Sequence, residues 1–149
     1  MESMSDLLFK ATRKQAFHGV YRLDVPEDNR EYAFPVGEIL NKNKDFCCCA
    51  LGAILEESGL LFDVPLESGS QAVALLTENF PQTKDWLMLS YIYKLNEAGF
   101  KKERKLITDH FRTYENLTEV TLFSFIAHIN DEVGFNFKTI SKILKVIGY

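Results

Sequence analysis

Between Phe46 and Leu55 the chain reads Phe-Cys-Cys-Cys-Ala-Leu-Gly-Ala-Ile-Leu, with no charged, amide or hydroxyl side chain in it. Such a segment belongs in an interior, because burying one Leu or Ile side chain is worth about 1.5–3 kcal/mol. The rest of the chain must therefore supply elements that cover it. The Ala-Leu-Gly-Ala-Ile-Leu-Glu-Glu portion favours a buried helix, with Gly59 as its left-handed terminator.

The cover is helical. Ser5 and Asp6 open a first helix that runs through Leu7, Leu8, Ala11 and Ala16 to Phe17, ending near Gly19. Residues 20–34 lose that period and hold Pro26 in a turn-like run, which predicts a small β-hairpin or a long loop. Pro35 can start a short helix through Leu40. Ser70 can cap a helix over Gln71–Asn79 that Pro81 stops. Thr83 can cap the next helix, where Met88, Ile92 and Leu95 share one face and Trp86, Leu89 and Tyr93 thicken it, up to Gly99. Lys101–Arg112 reads as an amphipathic helix around Leu106, Ile107 and Phe111. Thr118 can cap a very apolar helix holding Val120, Phe123, Ile126 and Ile129.

The last element has the clearest period. Phe137, Ile140, Leu144 and Ile147 form one stripe, Lys138, Lys142 and Lys145 fall off it, and Asn136 is placed to cap it. Tyr91–Phe100 also echoes Phe125–Phe135 with one residue inserted, which predicts two helical hairpins packed together. The expected fold is thus mainly α: a compact helical bundle of about six to eight helices in one domain over residues 1–149, with a small β-hairpin near residues 20–34.

Charge narrows the partners. The net charge is −4, and the chain up to Thr83 holds 7 basic and 13 acidic residues against 10 and 8 after it. The one concentrated basic run, Lys101, Lys102, Arg104 and Lys105, is diluted by Glu97, Glu103 and Asp109. That pattern reads as a solvated helix face and disfavours nucleic acid, whose binders present a strongly basic surface. Met1–Lys14 has no signal-peptide pattern and no apolar stretch is long enough to span a bilayer. The 3 cysteines, Cys47, Cys48 and Cys49, are adjacent and cannot staple distant segments. Cytoplasmic residence with no membrane partner is expected.

Two stretches carry a resemblance. Phe46-Cys47-Cys48-Cys49-Ala50-Leu51-Gly52-Ala53-Ile54-Leu55, together with Ile129-Asn130-Asp131 and Phe137-Lys138-Thr139-Ile140, resembles a family of small phage and bacterial proteins of uncharacterised function. Members carry Cys-Cys, then Leu-Gly-Val or Leu-Gly-Ala, and later Leu-Asn-Asp, a Gly-containing loop and a Ser/Thr-Phe-x-x-Ile helix. This chain departs in its third cysteine and in Asn136, where Ser or Thr is usual. The resemblance implies a phage-type accessory protein in the host cytoplasm and assigns no chemistry.

The sharpest enzymatic alternative is a cysteine-dependent hydrolase. Cys47 or Cys48 at a helix start would gain thiolate character, with His128 as base and Asn130 or Asp131 to orient it. Against it, cysteines in an apolar run serve as small hydrophobes, and on a helix His128 and Asn130 point about 200° apart. A metal site is not expected, since consecutive cysteines diverge and His18, His110 and His128 are scattered. The Asn130–Gly134 turn lacks the oxygen ligands of a calcium loop. No phosphate-loop, dinucleotide, hydrolase-elbow or zincin motif occurs, and no cofactor is expected. The favoured reading is non-enzymatic binding of a protein, from the host or a second copy, with Tyr21, Tyr32, Phe34 and Trp86 as candidate anchors.

Overall fold

The computed structural model describes residues 2–17, 21–23, 31–32, 46–60, 69–81, 88–112 and 120–149. The fold is mainly α. Seven helices are seen among these residues: α1 (Met4–Lys10), α2 (Ala50–Ser58), α3 (Gly69–Asn79), α4 (Met88–Glu97), α5 (Lys101–Phe111), α6 (Leu122–Asp131) and α7 (Phe137–Ile147). Three short strands, β1 (Tyr21–Leu23), β2 (Glu31–Tyr32) and β3 (Phe46–Cys48), form an antiparallel sheet in the order β2-β1-β3. The β element expected near residues 20–34 is therefore present, and it gains a third strand from the apolar run. The helix expected over 35–40 lies outside the described residues.

Helix α1 is shorter than its sequence pattern. Ser3, not Ser5, caps it by accepting the Asp6 N–H at 3.1 Å. Ser5 is instead held at both backbone groups by the far end of the chain: its N–H donates to the Tyr149 carbonyl at 2.9 Å, and its carbonyl accepts from Ser141 Oγ at 2.7 Å. The helix stops at Ala11, which takes extended backbone. Residues 14–16 then lie along the free edge of β3, with Ala16 N–H donating to the Cys48 carbonyl at 2.8 Å and Cys48 N–H to the Lys14 carbonyl at 3.1 Å. Pairing with a strand from elsewhere in the sequence overrides the local helical preference of Thr12–Phe17.

The apolar run divides. Phe46–Cys48 is strand, Cys49 is the N-cap with extended backbone, and α2 begins at Ala50 and ends at Gly59 with φ +75°. The helix expected over the Ala50–Glu57 portion and its Gly59 terminator are present, and the residues before it are strand. The apolar character fitted both forms, and pairing with β1 on one edge and residues 14–16 on the other decided it.

Helix α7 organises the core. Phe137, Ile140, Leu144 and Ile147 are all buried, as are Ser141 and Ile143, while Lys138, Lys142 and Lys145 are exposed. The buried face is wider than one stripe because α1, α4 and α6 all pack on this helix. Asn136 caps it as expected, accepting the Thr139 N–H at 2.8 Å. Helix α6 is capped by Thr121, which accepts the Ser124 N–H at 3.2 Å, and not by Thr118.

The internal echo corresponds to two helical hairpins. Gly99 (φ +85°) turns α4 into α5, and Gly134 (φ +81°) turns α6 into α7. In the first turn Phe100 N–H donates to the Leu95 carbonyl, and in the second Phe135 N–H donates to the Ile129 carbonyl. The second bond spans one more residue, as the inserted position requires. The hairpins meet where α4 packs on α7.

Candidate functional site

The three cysteines occupy three different places. Cys47 and Cys48 are strand residues opposite Arg22 and Tyr21, and Cys49 precedes the first turn of α2. None is in a disulfide and all are buried, Cys48 completely. The thiol closest to a helix start is therefore Cys49 and not Cys47. The Gly52 and Leu51 N–H groups favour its thiolate, yet burial outweighs them and pushes its pKa up to about 11. Burial, then the neighbouring Cys49, raises the Cys48 thiol well above its ordinary value. Both sulfurs are chemically quiet at neutral pH.

Asn130, at the end of α6, is fully buried. Its Oδ1 accepts the Ala50 N–H at 3.1 Å and Gln15 Nε2 at 2.8 Å. Its Nδ2 donates to the Ala16 carbonyl at 2.9 Å and to Asp131 Oδ1 at 2.7 Å. An amide offers two donors and two acceptor positions, so this side chain is fully engaged. It is a clamp joining α6 to the edge segment and to the first N–H of α2. Gln15 completes the clamp by donating to the Phe135 carbonyl at 2.8 Å. No periodicity marked Gln15, which lies in a stretch that reads as helix.

His128 faces elsewhere, as its angular separation from Asn130 requires. Its Nδ1 meets His110 Nε2 of α5 at 2.9 Å, one nitrogen sharing its hydrogen with the other. Phe111 lies against both rings, with centroids 4.8 Å from His110 and 5.2 Å from His128. Burial and the nearby His110 lower the His128 pKa, with Glu132 and Asp131 acting in the opposite direction. Both imidazoles are half-buried.

The candidate anchors stand as follows. Tyr21 and Tyr32 are partners in the β1–β2 register, while Phe34 and Trp86 lie outside the described residues. Two residues of α4 read as core are instead on the surface: Leu89 is 63% and Tyr93 65% exposed. The reason is angular. At about 100° per residue they sit about 100° and 140° from Met88, past the edge of the face that buries Met88 and Leu95. They lie one turn apart on the outside of α4, and Leu106 of α5 is 43% exposed. Lys94, Lys101, Lys102 and Lys105 are exposed on the same hairpin.

Among the described residues no helix is long and apolar enough to cross a membrane, and no group of three or more metal-ligating side chains converges. Neither a family model, nor a curated protein, nor a solved structure matches this chain.

Proposed function

We propose that this chain is a small phage-type accessory protein of the host cytoplasm that acts by binding a host protein, without chemistry of its own. The observation that carries the reading is the exposed Leu89 and Tyr93 pair on α4. An aromatic and a leucine one turn apart are the spacing by which a helix anchors in a partner's apolar groove. Tyrosine supplies large contact area at small entropic cost and is common among the residues that dominate interfaces. Apolar residues at the centre favour protein over nucleic acid.

The test uses the full chain as bait in host lysate, beside a Leu89→Ser, Tyr93→Ser double variant. Because both side chains are exposed, the variant keeps its circular dichroism and unfolding midpoint. One protein retained at a stoichiometric level by the parent and lost by the variant is the expected result. Equal recovery by both, or recovery of nothing, overturns the proposal.

A further inference from the structure

The sequence scatters its three histidines, but the fold brings two of them together nitrogen to nitrogen. We propose that His110 Nε2 and His128 Nδ1, 2.9 Å apart across the α5–α6 contact, form an open binding site for a late first-row divalent cation. Cu²⁺ and Ni²⁺ are preferred over Zn²⁺. The inference does not depend on the protein-binding proposal.

Three observations support it. The first is spacing: with metal–nitrogen bonds of about 2.0–2.1 Å, two ligands at a right angle stand about 2.9 Å apart, and two in a tetrahedron about 3.4 Å. The gap between the two imidazoles matches adjacent corners of a tetragonal site, the geometry suited to Cu²⁺ and Ni²⁺, and must widen for Zn²⁺. The second is access. Both rings are half-buried, so an ion can enter and water can complete its coordination. The third is orientation and field. Phe111 packs against both rings, and the negative charges of Asp131 and Glu132 act on His128, Glu132 standing one helical turn beyond it.

Binding is balanced in protons. In the metal-free pair one ring donates its N–H to the other's lone pair. That hydrogen moves to the other nitrogen of its own ring, both facing nitrogens then present lone pairs, and each ring turns to aim at a common point. With two protein ligands the site stays open to solvent, unlike the closed sites that hold structural zinc.

Ni²⁺ is the probe of choice because it does not oxidise thiols. Calorimetric titration of the metal-free full chain with Ni²⁺ is expected to give one ion per chain, with His18→Gln binding as the parent does. His110→Gln and His128→Gln are expected to lose stoichiometric binding while keeping the parent's circular dichroism. A measurement on the parent covers the case in which those variants misfold. In its proton NMR spectrum, substoichiometric Ni²⁺ should broaden two of the three imidazole sets, those of the two ring-contacting histidines. Absence of binding, binding unchanged in both folded variants, or broadening confined to His18 overturns the proposal.

Discussion

The side-chain oxygen of Asn130 accepts the backbone N–H of Ala50 at 3.1 Å, across 80 positions of sequence. Helix α2 has no cap hydrogen bond from the side chain of its own N-cap residue, Cys49. The first free N–H of that helix is satisfied instead by a residue of α6, so capping and tertiary docking are one interaction.

Asn130→Ala is therefore expected to destabilise well beyond a surface substitution. It strips partners from the Ala50 N–H, Gln15 Nε2 and the Ala16 carbonyl, and a buried polar group left unsatisfied costs about 1–3 kcal/mol. A urea midpoint corresponding to a loss of at least about 2 kcal/mol is the expected outcome. Asn130→Asp should also destabilise, since it removes the donor to Ala16 and sets a second carboxylate against Asp131. Stability within about 0.5 kcal/mol of the parent would contradict the clamp.

The thiols should be silent in the native state. Iodoacetamide at neutral pH is expected to leave Cys47, Cys48 and Cys49 unmodified until denaturant is added, because all three are buried. Mass spectrometry before and after unfolding makes the comparison. Rapid native alkylation of one cysteine below pH 7 would instead favour the hydrolase reading with His128.

Cys49 sets an alkaline limit. Its thiol is raised from 9.0 to about 11 in the folded chain. Between those values the unfolded chain has released the proton and the folded chain still holds it, so stability falls as pH rises. The stability is complete below about pH 9 and is lost progressively up to about pH 11, a change on the order of 2 kcal/mol. Urea unfolding across that window should show a shallower decline in Cys49→Ala than in the parent. Equal slopes would remove Cys49 as the cause.

Gly134 tests the hinge of the second hairpin. Its φ is +81° and, its own chain neighbours aside, no atom lies within 4 Å of the position a Cβ would take. Alanine there meets no clash but does meet backbone strain, about 1–2 kcal/mol for an L-residue in that region. Gly134→Asn should cost less, since asparagine tolerates this conformation. Thermal unfolding of the two variants should rank asparagine above alanine, and the reverse order would show that space rather than φ controls the turn.

Much of the architecture was legible in one dimension because it depends on local rules. The stripe of α7, the Asn136 cap, the glycines at positions 59, 99 and 134 and the resulting hairpins follow from periodicity and from conformations that few residues adopt. Burial of the cysteine run followed from its composition. At three places a local signal left the outcome to a distant partner. Residues 12–17 carry a local helical pattern, but β3 offered its free edge to Lys14 and Ala16. Phe46–Cys48 suited strand or helix equally until β1 paired with it. Leu89 and Tyr93 counted as apolar, but which apolar residues of α4 are covered depends on where α7 and α5 lie.

The residues with the richest chemistry were the least legible. Sequence placed His128 and Asn130 two positions apart and left their partners open. Only the packing of α5 against α6 gave His110 to the first, and only the course of residues 15–16 and the start of α2 gave the second its four bonds. The sequence alone determined that this chain is helical, that its thiols are interior and where its turns fall, because propensity and burial are carried by neighbouring residues. The tertiary structure decided which polar groups meet, because a hydrogen bond needs two atoms brought within about 3 Å, and chain separation says nothing of that distance.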